Sequence, residues 1–327
     1  MSEIVIDQRW AGDTGIGRLF KEVILRMPPS VNATYIDHPM NLGNPLSPLM
    51  LAKAIKQTSA DCFYSPSFMP PLYSKTPFVI TIHDLMHLYY YSTAHRLYFK
   101  HIIGRLARKA KQVITVSEYT KSELITHLGL KEQQITVIYN GIDPVFGRNE
   151  ERYFMERPYF LYIGNRRKNK NIPVMIEAFA KADIPREVVL ALSGREDKLL
   201  TDLIANYQLK DRVKFLGHIA EEELPKLYKG AIATLYVSLM EGFGLPLLES
   251  MASGTPVITS NVSALPEIAG QAALCVNPHR THEIAEAIAQ LFHYPRLRQQ
   301  YIDAGYLRIK HFSWEETAKQ TWKTILT

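Results

Sequence analysis

Short apolar runs alternate along the chain with longer stretches in which apolar positions recur every three or four residues. The first kind reads as strand and the second as helix. "EIVID" (3–7) opens as a strand, and "GRLFKEVILRM" (17–27) follows with helical spacing, Leu19, Val23, Ile24 and Met27 facing one way. "FVITIHD" (78–84), "QVITVS" (112–117) and "ITVIYNGID" (135–143) read as further strands, with a helix over "EYTKSELITHLG" (118–129). The pattern restarts near residue 157. "YFLYIG", "VVLALSG", "VKFLG", "ATLYVS", "PVITS" and "ALCVN" read as strands, and "NIPVMIEAFAKA" and "EEELPKLYKGA" as helices. Such alternation predicts α/β architecture with parallel sheets. The break between Arg148 and Pro158 predicts two doubly wound units, placed at 1–155 and 156–311. Ligands of such units collect at the carboxyl ends of strands.

One such end is the stretch "LMEGFGLPLLES" (239–250), after the strand "ATLYVS". Pro246 suits the first turn of the helix that follows, and Gly254 its C-terminal cap. Gly242 and Gly244 let the main chain turn sharply and approach a ligand. The N–H groups around Phe243, Gly244 and Leu245 then sit at a helix start, which favours an anion such as a diphosphate. Glu249, about one turn inside the helix, can accept two hydrogen bonds from a vicinal diol such as a ribose. Glu241, on the loop side, can reach a sugar beyond the diphosphate. The plain alternative makes Glu249 a helix-surface acid and Glu241 a loop acid.

Composition narrows the classes. The chain of 327 residues is 46% hydrophobic with ordinary Gly and Pro, as a globular two-domain protein requires. No apolar run approaches the ~18 residues of a membrane span. The N-terminus is acidic and enters a strand at once, so no secretory signal is expected. The two cysteines, Cys62 and Cys275, form no CxxC pair, which favours a reducing, cytoplasmic setting over a disulfide framework or zinc site. Net charge is +6 and spread over both halves. It suits a phosphate-bearing ligand or an anionic lipid surface, whereas nucleic acid is disfavoured because no dense basic run interleaves with aromatics. A helix over 98–110 is expected to turn Phe99, Ile102, Ile103, Leu106 and Ala110 one way and Lys100, Arg105, Arg108 and Lys109 the other. Its basic side reads either as a solvated face or as a peripheral contact with anionic membrane.

The segment "EGFGLPLLESMASGTPVITSNVSALPEIAGQAALCVNP" resembles the signature of the retaining GT-B glycosyltransferases of family 4, two glutamates with seven residues between them. The resemblance covers nearly the whole chain. "TGIGRLFKEVI", "TIHDL", "ITVSEYTKSEL" and "VIYNGID" are similar to N-terminal landmarks of that family, "YIGNRRKNKNIPVMIEAFA" to the opening of its second domain, and "HFSWEETAKQTW" to its closing segment. The resemblance implies a GT-B fold of two Rossmann-like domains facing each other across a cleft. The N-terminal domain would bind the acceptor, the C-terminal domain the donor, and residues 312–327 would return to the first. It also implies roles. Glu241 would meet the donor sugar hydroxyls and Glu249 the ribose, with Phe243, Gly244 and Leu245 offering amides. Lys170, six residues after Gly164, would neutralise the diphosphate. Asn165 stands where many members carry arginine, which leaves Arg166 or Arg167 to supply that charge beside Gly164 and Asn165. Gly15, Ile16 and Gly17 would approach the diphosphate from the other side; Phe20 takes the place of the third glycine of a dinucleotide fingerprint. His83 would face the donor sugar through its carbonyl, with Asp84 orienting it or an acceptor. A His-Asp pair at a strand end is equally often structural, and Arg18 reads equally as phosphate ligand or surface residue. Asn140 and Asp143 would shape the crossover.

Within that family the chain most resembles the bacterial mannosyltransferases and relatives that build surface polysaccharides, often from GDP-mannose. No Asp-x-Asp pair, HExxH or Gly-x-Ser-x-Gly elbow is present, so neither a catalytic metal nor a cofactor is expected. Retention would follow from front-face substitution, the departing phosphate oxygen taking the acceptor's proton. The expected partners are a nucleotide sugar and a glycan or lipid-linked acceptor. Transfer from a UDP- or dTDP-sugar, phosphorolysis or epimerisation, and a non-catalytic sugar-nucleotide-binding regulator are the competing readings.

Overall fold

The computed structural model describes residues 1–12, 14–36 and 44–327. The chain divides into two units, Met1–Gly141 with Phe312–Thr327, and Ile142–His311.

The first unit holds β1 (Ser2–Asp7), β2 (Val31–Ile36), β3 (Cys62–Ser65), β4 (Phe78–Ile82), β5 (Gln112–Thr115) and β6 (Ile135–Val137). They form one parallel sheet in the order β2-β1-β3-β4-β5-β6. The second unit holds β7 (Tyr159–Tyr162), β8 (Val189–Leu192), β9 (Val213–Phe215), β10 (Thr234–Tyr236), β11 (Val257–Ser260) and β12 (Leu274–Val276). These are parallel too, in the order β12-β11-β10-β7-β8-β9. Every residue of β4, β7 and β8 is buried, which explains why these strands read as unbroken apolar runs rather than alternating ones. In each sheet the strand order reverses direction once, between β1 and β3 and between β7 and β10. Crevices open at such points, beyond the carboxyl ends of the strands.

The structure departs from the pattern reading in four places. β2 and β3 carry too weak a signal to be expected: "VNATYI" is an edge strand with a mostly exposed interior, and "CFYS" is four residues long. On the helix Gly15–Leu25 the buried positions are Gly17, Leu19, Phe20 and Val23, with Ile24 only partly covered. Residues 142–155, expected with the first domain, pack on the second. Asp143 caps the helix Pro144–Arg148 by accepting from Val145 N at 3.0 Å, so the chain turns there. Phe146 then buries against Tyr159, Tyr228 and Ala252. The 98–110 helix is also broken. Thr93–Tyr98 is α-helical, Phe99–Ile103 is a π-helical turn and Gly104–Ala107 is α-helical again. The wider turn shifts the helical phase. Phe99, Ile103, Leu106, Ala107 and Ala110 are buried, but Ile102 is 43% exposed.

The closing helix Trp314–Leu326 belongs to the first unit. Trp322 is 2% exposed, and its Nε1 donates to the carbonyl of Val23 at 2.8 Å across 299 residues of sequence. Thr317 Oγ1 donates to Tyr139 O at 2.7 Å. Replacing Trp322 by Ala removes a large buried side chain and leaves Val23 O unpaired. We expect the first unit to lose about 3–5 kcal/mol. Hydrogen–deuterium exchange should then quicken over 15–25 and leave the sheet of the second unit unchanged; equal exchange in both proteins contradicts this docking.

Candidate active site

The buried charges of the second unit gather where its strand order reverses. β7 ends at Tyr162 and β10 at Tyr236, and the two rings stack with centroids 6.4 Å apart at 18°. After β7 the loop is drawn tight. Ser193, at the end of β8, accepts from Gly164 N and donates to Gly164 O, both at 2.9 Å. Tyr162 Oη donates to Asn165 O at 2.6 Å. A short 3-10 turn, Lys168–Lys170, leads into the helix Ile172–Lys181.

The asparagines on either side of Lys170 tie this turn to the loop after β10. Asn169 Nδ2 donates to Met240 O at 2.9 Å, and Leu239 N donates to Asn169 O at 2.7 Å. Asn171 Nδ2 donates to Val237 O at 3.1 Å and to Pro278 O at 2.8 Å. Lys170 is thereby fixed against Glu241. Its Nζ donates to Glu241 Oε1 and to Tyr236 Oη, each at 2.7 Å, and lies 4.9 Å from the centre of the Tyr236 ring. Lys170 is 8% exposed and Glu241 7%. The main chain of Glu241 is held in turn, its N–H donating to Ser263 Oγ at 3.2 Å. Burial, reinforced by the charge of Glu241, pushes the Tyr236 hydroxyl well above its usual range, so it stays protonated.

Glu249 is not a surface acid. It is 5% exposed on the helix Leu245–Ala252 and accepts from Tyr228 Oη at 2.9 Å. Its charge also helps to raise the Tyr236 hydroxyl. Gly244 precedes the helix with φ of 113°, a conformation open to glycine, and an added Cβ would lie 2.9 Å from the Leu265 side chain. Phe243 is buried, and Leu245 begins the helix. Arg166 and Arg167 are now distinct. Arg167 is exposed, with its N–H donating to Asn165 Oδ1 at 3.1 Å. The Arg166 guanidinium lies over Phe215 at 5.2 Å, and its three nitrogens are buried without a hydrogen-bond partner among the described residues. It can therefore donate to an anion without breaking an existing bond.

In the first unit the point of reversal also holds a buried ion pair. Arg9 donates to the Asp7 carboxylate through Nε at 2.7 Å and Nη2 at 2.8 Å, and Ser65 Oγ donates to Asp7 at 3.2 Å. His83, after β4, donates from Nε2 to Pro66 O at 2.8 Å, which fixes the Nε2–H tautomer. Its carbonyl accepts from Thr120 Oγ1 at 3.4 Å. Burial pushes the ring below the usual imidazole range, against the raising influence of the bond to Pro66. Asp84 accepts from Met86 N at 2.8 Å, a cap for the short helix Met86–Tyr89. At the first helix Thr14 is the cap, and its Oγ1 accepts from Gly17 N at 3.1 Å. Of the amides expected to meet a phosphate, that of Gly17 is thus engaged within the cap, leaving Gly15 and Ile16. A Cβ on Gly17 would lie 1.8 Å from Gly12 O, so glycine there serves close packing.

Residues 147–308 match the family model described as glycosyl transferases group 1, and residues 10–146 match that of glycosyltransferase family 4. The chain belongs to the family 4 glycosyltransferases. Among relatives of this glycosyltransferase, O-antigen chain mannosyltransferase B of Escherichia coli is 29% identical over 298 residues, covering 84% of this chain and 77% of that protein. O-antigen chain mannosyltransferase RfbU of Salmonella typhimurium is 32% identical over 220 residues, covering 66% and 61%. The glycosyltransferase thus spans less than two thirds of the second relative's length. The Anabaena Alr3699/HepE structure in complex with UDP-glucose superposes with a TM-score of 0.79 at 19% identity, covering all of both chains. A glycosyltransferase from Rickettsia africae gives 0.75, also at 19%, covering 100% and 99%. At such identities the likeness shows the fold, GT-B.

The sequence reading had no signal for Tyr236, Tyr228, Asn169 or Asn171. Tyr236 sits in the apolar run of a strand, Tyr228 within the helical stretch "EEELPKLYKGA", and the asparagines in the polar stretch "NRRKNKN". The "K-N-K-N" spacing, amides alternating with lysines just before a helix, is the trace that marks them in retrospect. For His83 the sign of the pH effect follows from its depressed value. The unfolded ring takes a proton near pH ~6.5, the folded one only lower. Stability from this site is therefore present above that pH and is lost as pH falls toward the folded value. Nitrogen NMR of the histidine ring, assigned with His83→Gln, should show the neutral Nε2–H form at pH 6; a protonated ring there contradicts the burial argument.

Proposed function

We propose that this glycosyltransferase is a retaining enzyme that transfers mannose from GDP-mannose to a glycan or lipid-linked acceptor in surface-polysaccharide synthesis. The observation that carries the reading is the buried Lys170–Glu241 pair, fixed by two asparagines where the strand order reverses. That is where a doubly wound sheet holds a ligand, and the pair offers a cation for a diphosphate beside an acceptor for sugar hydroxyls.

In this reading Lys170 and Arg166 neutralise the diphosphate, assisted by the main chain of Asn165 and by the amides of Phe243, Gly244 and Leu245, while Gly164, its N–H donating to Ser193, shapes the loop. Glu241 holds the donor sugar and Glu249 the ribose. The bond from the anomeric carbon to the phosphate oxygen breaks while the acceptor oxygen bonds to the same face. The acceptor's proton passes to the departing oxygen, so no separate base is required. Charge stabilisation of the leaving diphosphate then accounts for most of the acceleration. Neither metal nor cofactor takes part in this reading. The names of the O-antigen mannosyltransferases support the mannosyl assignment. The UDP-glucose in the Anabaena protein keeps a uridine donor as the alternative.

A peripheral contact with anionic membrane, on the cytoplasmic side, fits the same reading. A surface cavity of about 360 Å³ is lined by Lys100, His101, Arg105, Arg108 and His127, beside the exposed Ile102. No helix among the described residues is long and apolar enough to cross a membrane.

Four measurements test these assignments: melting temperature, nucleoside diphosphate release, kcat of variants and vesicle flotation. Among GDP-, UDP-, ADP- and dTDP-sugars, GDP-mannose should raise the melting temperature most, and nucleoside diphosphate should be released once acceptor is added. Lys170→Met or Glu241→Ala should lower kcat by about 100- to 1,000-fold. Binding without release in the wild type would favour a regulator. Flotation with anionic vesicles should weaken when Lys100, Arg105, Arg108 and Lys109 are reversed in charge; unchanged flotation removes the membrane contact.

A further inference from the structure

A lysine meant for a diphosphate is here already occupied. Lys170 Nζ donates to Glu241 Oε1 and Tyr236 Oη at 2.7 Å each, and all three side chains are buried, Tyr236 at 2% exposure. Lys170 has three N–H donors, two of which are engaged inside the site. We propose that Glu241 is an internal competitor for Lys170: it holds the lysine when no diphosphate is bound, and it thereby weakens the hold of the site on the nucleoside diphosphate product. This rests on the reading of Lys170 as the diphosphate ligand.

The physical ground is the burial of both charges. An ammonium and a carboxylate this far from water are each stable only when paired. A diphosphate entering the site offers Lys170 a second anion; the third N–H can reach it, but the ammonium's charge is already shared with Glu241, and a full swing to the phosphate leaves that carboxylate in need of new donors. A donor sugar supplies them as hydroxyls. The product nucleoside diphosphate does not, so after transfer Glu241 returns to Lys170 and opposes retention of the product. Tyr236 keeps the exchange local. Its hydroxyl, protonated and bonded to Nζ, limits Lys170 to a short swing between the two anions. The intact donor and the product therefore meet different sites, although both carry the same diphosphate.

The consequence is an inversion. Glu241→Gln removes the competing charge, so it should bind product more tightly while turning over more slowly. Calorimetric titration with GDP and with UDP, neither of which carries the sugar that Glu241 would hold, isolates the competition. For whichever nucleotide the wild type binds, Glu241→Gln should bind about tenfold more tightly, since close buried charge pairs couple by at least that factor. Lys170→Met should bind more weakly than the wild type, because it loses the cation and leaves the Glu241 carboxylate unpaired in the site. Circular dichroism and melting temperature establish that each variant is folded, and Glu241→Asp, charged but shorter, serves as a second variant expected to bind between wild type and Glu241→Gln. Equal or weaker binding by Glu241→Gln, with Lys170→Met still impaired, overturns the competition and leaves the diphosphate reading in place. Binding by Lys170→Met as tight as the wild type overturns that reading, and the competition with it.

Discussion

Lys170 and Glu241 are opposite charges buried to below a tenth of their exposure, 2.7 Å apart, at the reversal of a parallel sheet. Taking such groups out of water is unfavourable by several kcal/mol each, and their attraction offsets this only when geometry is held closely. Much of the second unit's local structure meets that condition. Asn169 and Asn171 bind the turn of Lys170 to the loop of Glu241, Ser263 holds the Glu241 main chain, and Ser193 clamps Gly164. Stacked Tyr162 and Tyr236 close the floor. Removing one charge would strand the other, at about 3–5 kcal/mol. The pair is therefore weak as a source of stability, and its presence is better explained by chemistry.

The first unit repeats the logic with different residues. Asp7 and Arg9 form a bidentate buried pair at the reversal between β1 and β3, with Ser65 as a further donor. This pair is closed on itself, an acid and a guanidinium that satisfy each other with the help of two serines, Ser65 and Ser47. The contrast is instructive. Arg166, in the second unit, has a buried guanidinium over Phe215 with no acceptor among the described residues, whereas Arg9 is fully engaged. An arginine without an acceptor is costly to keep unless an anion visits it.

The chain displays its second unit more openly than its first. The inner strands β7, β8, β10 and β11 announce themselves as apolar runs because every one of their residues is buried, and the turn around Gly244 is written in glycine and proline. β2 escapes notice because an edge strand needs few apolar residues, and β3 because four residues cannot display a period. The boundary at Gly141 escapes because Asp143 and Phe146 determine it by cap and core contact, while the visible composition break lies in the loop beyond. At the site, Glu241, Glu249 and Lys170 stand out by spacing. The partners that make them work, Tyr236, Tyr228, Asn169 and Asn171, are distant in sequence and ordinary in type, so only the folded chain brings them forward.

If a movable charge pair governs the second unit, its donor complex must show the exchange directly. A crystal structure of the protein with a non-transferable analogue of its nucleotide sugar should place Lys170 Nζ within hydrogen-bond distance of a phosphate oxygen and Glu241 on a sugar hydroxyl, with the Lys170–Glu241 contact lengthened. A complex in which that contact stays at its donor-free distance while the diphosphate binds elsewhere would contradict the account.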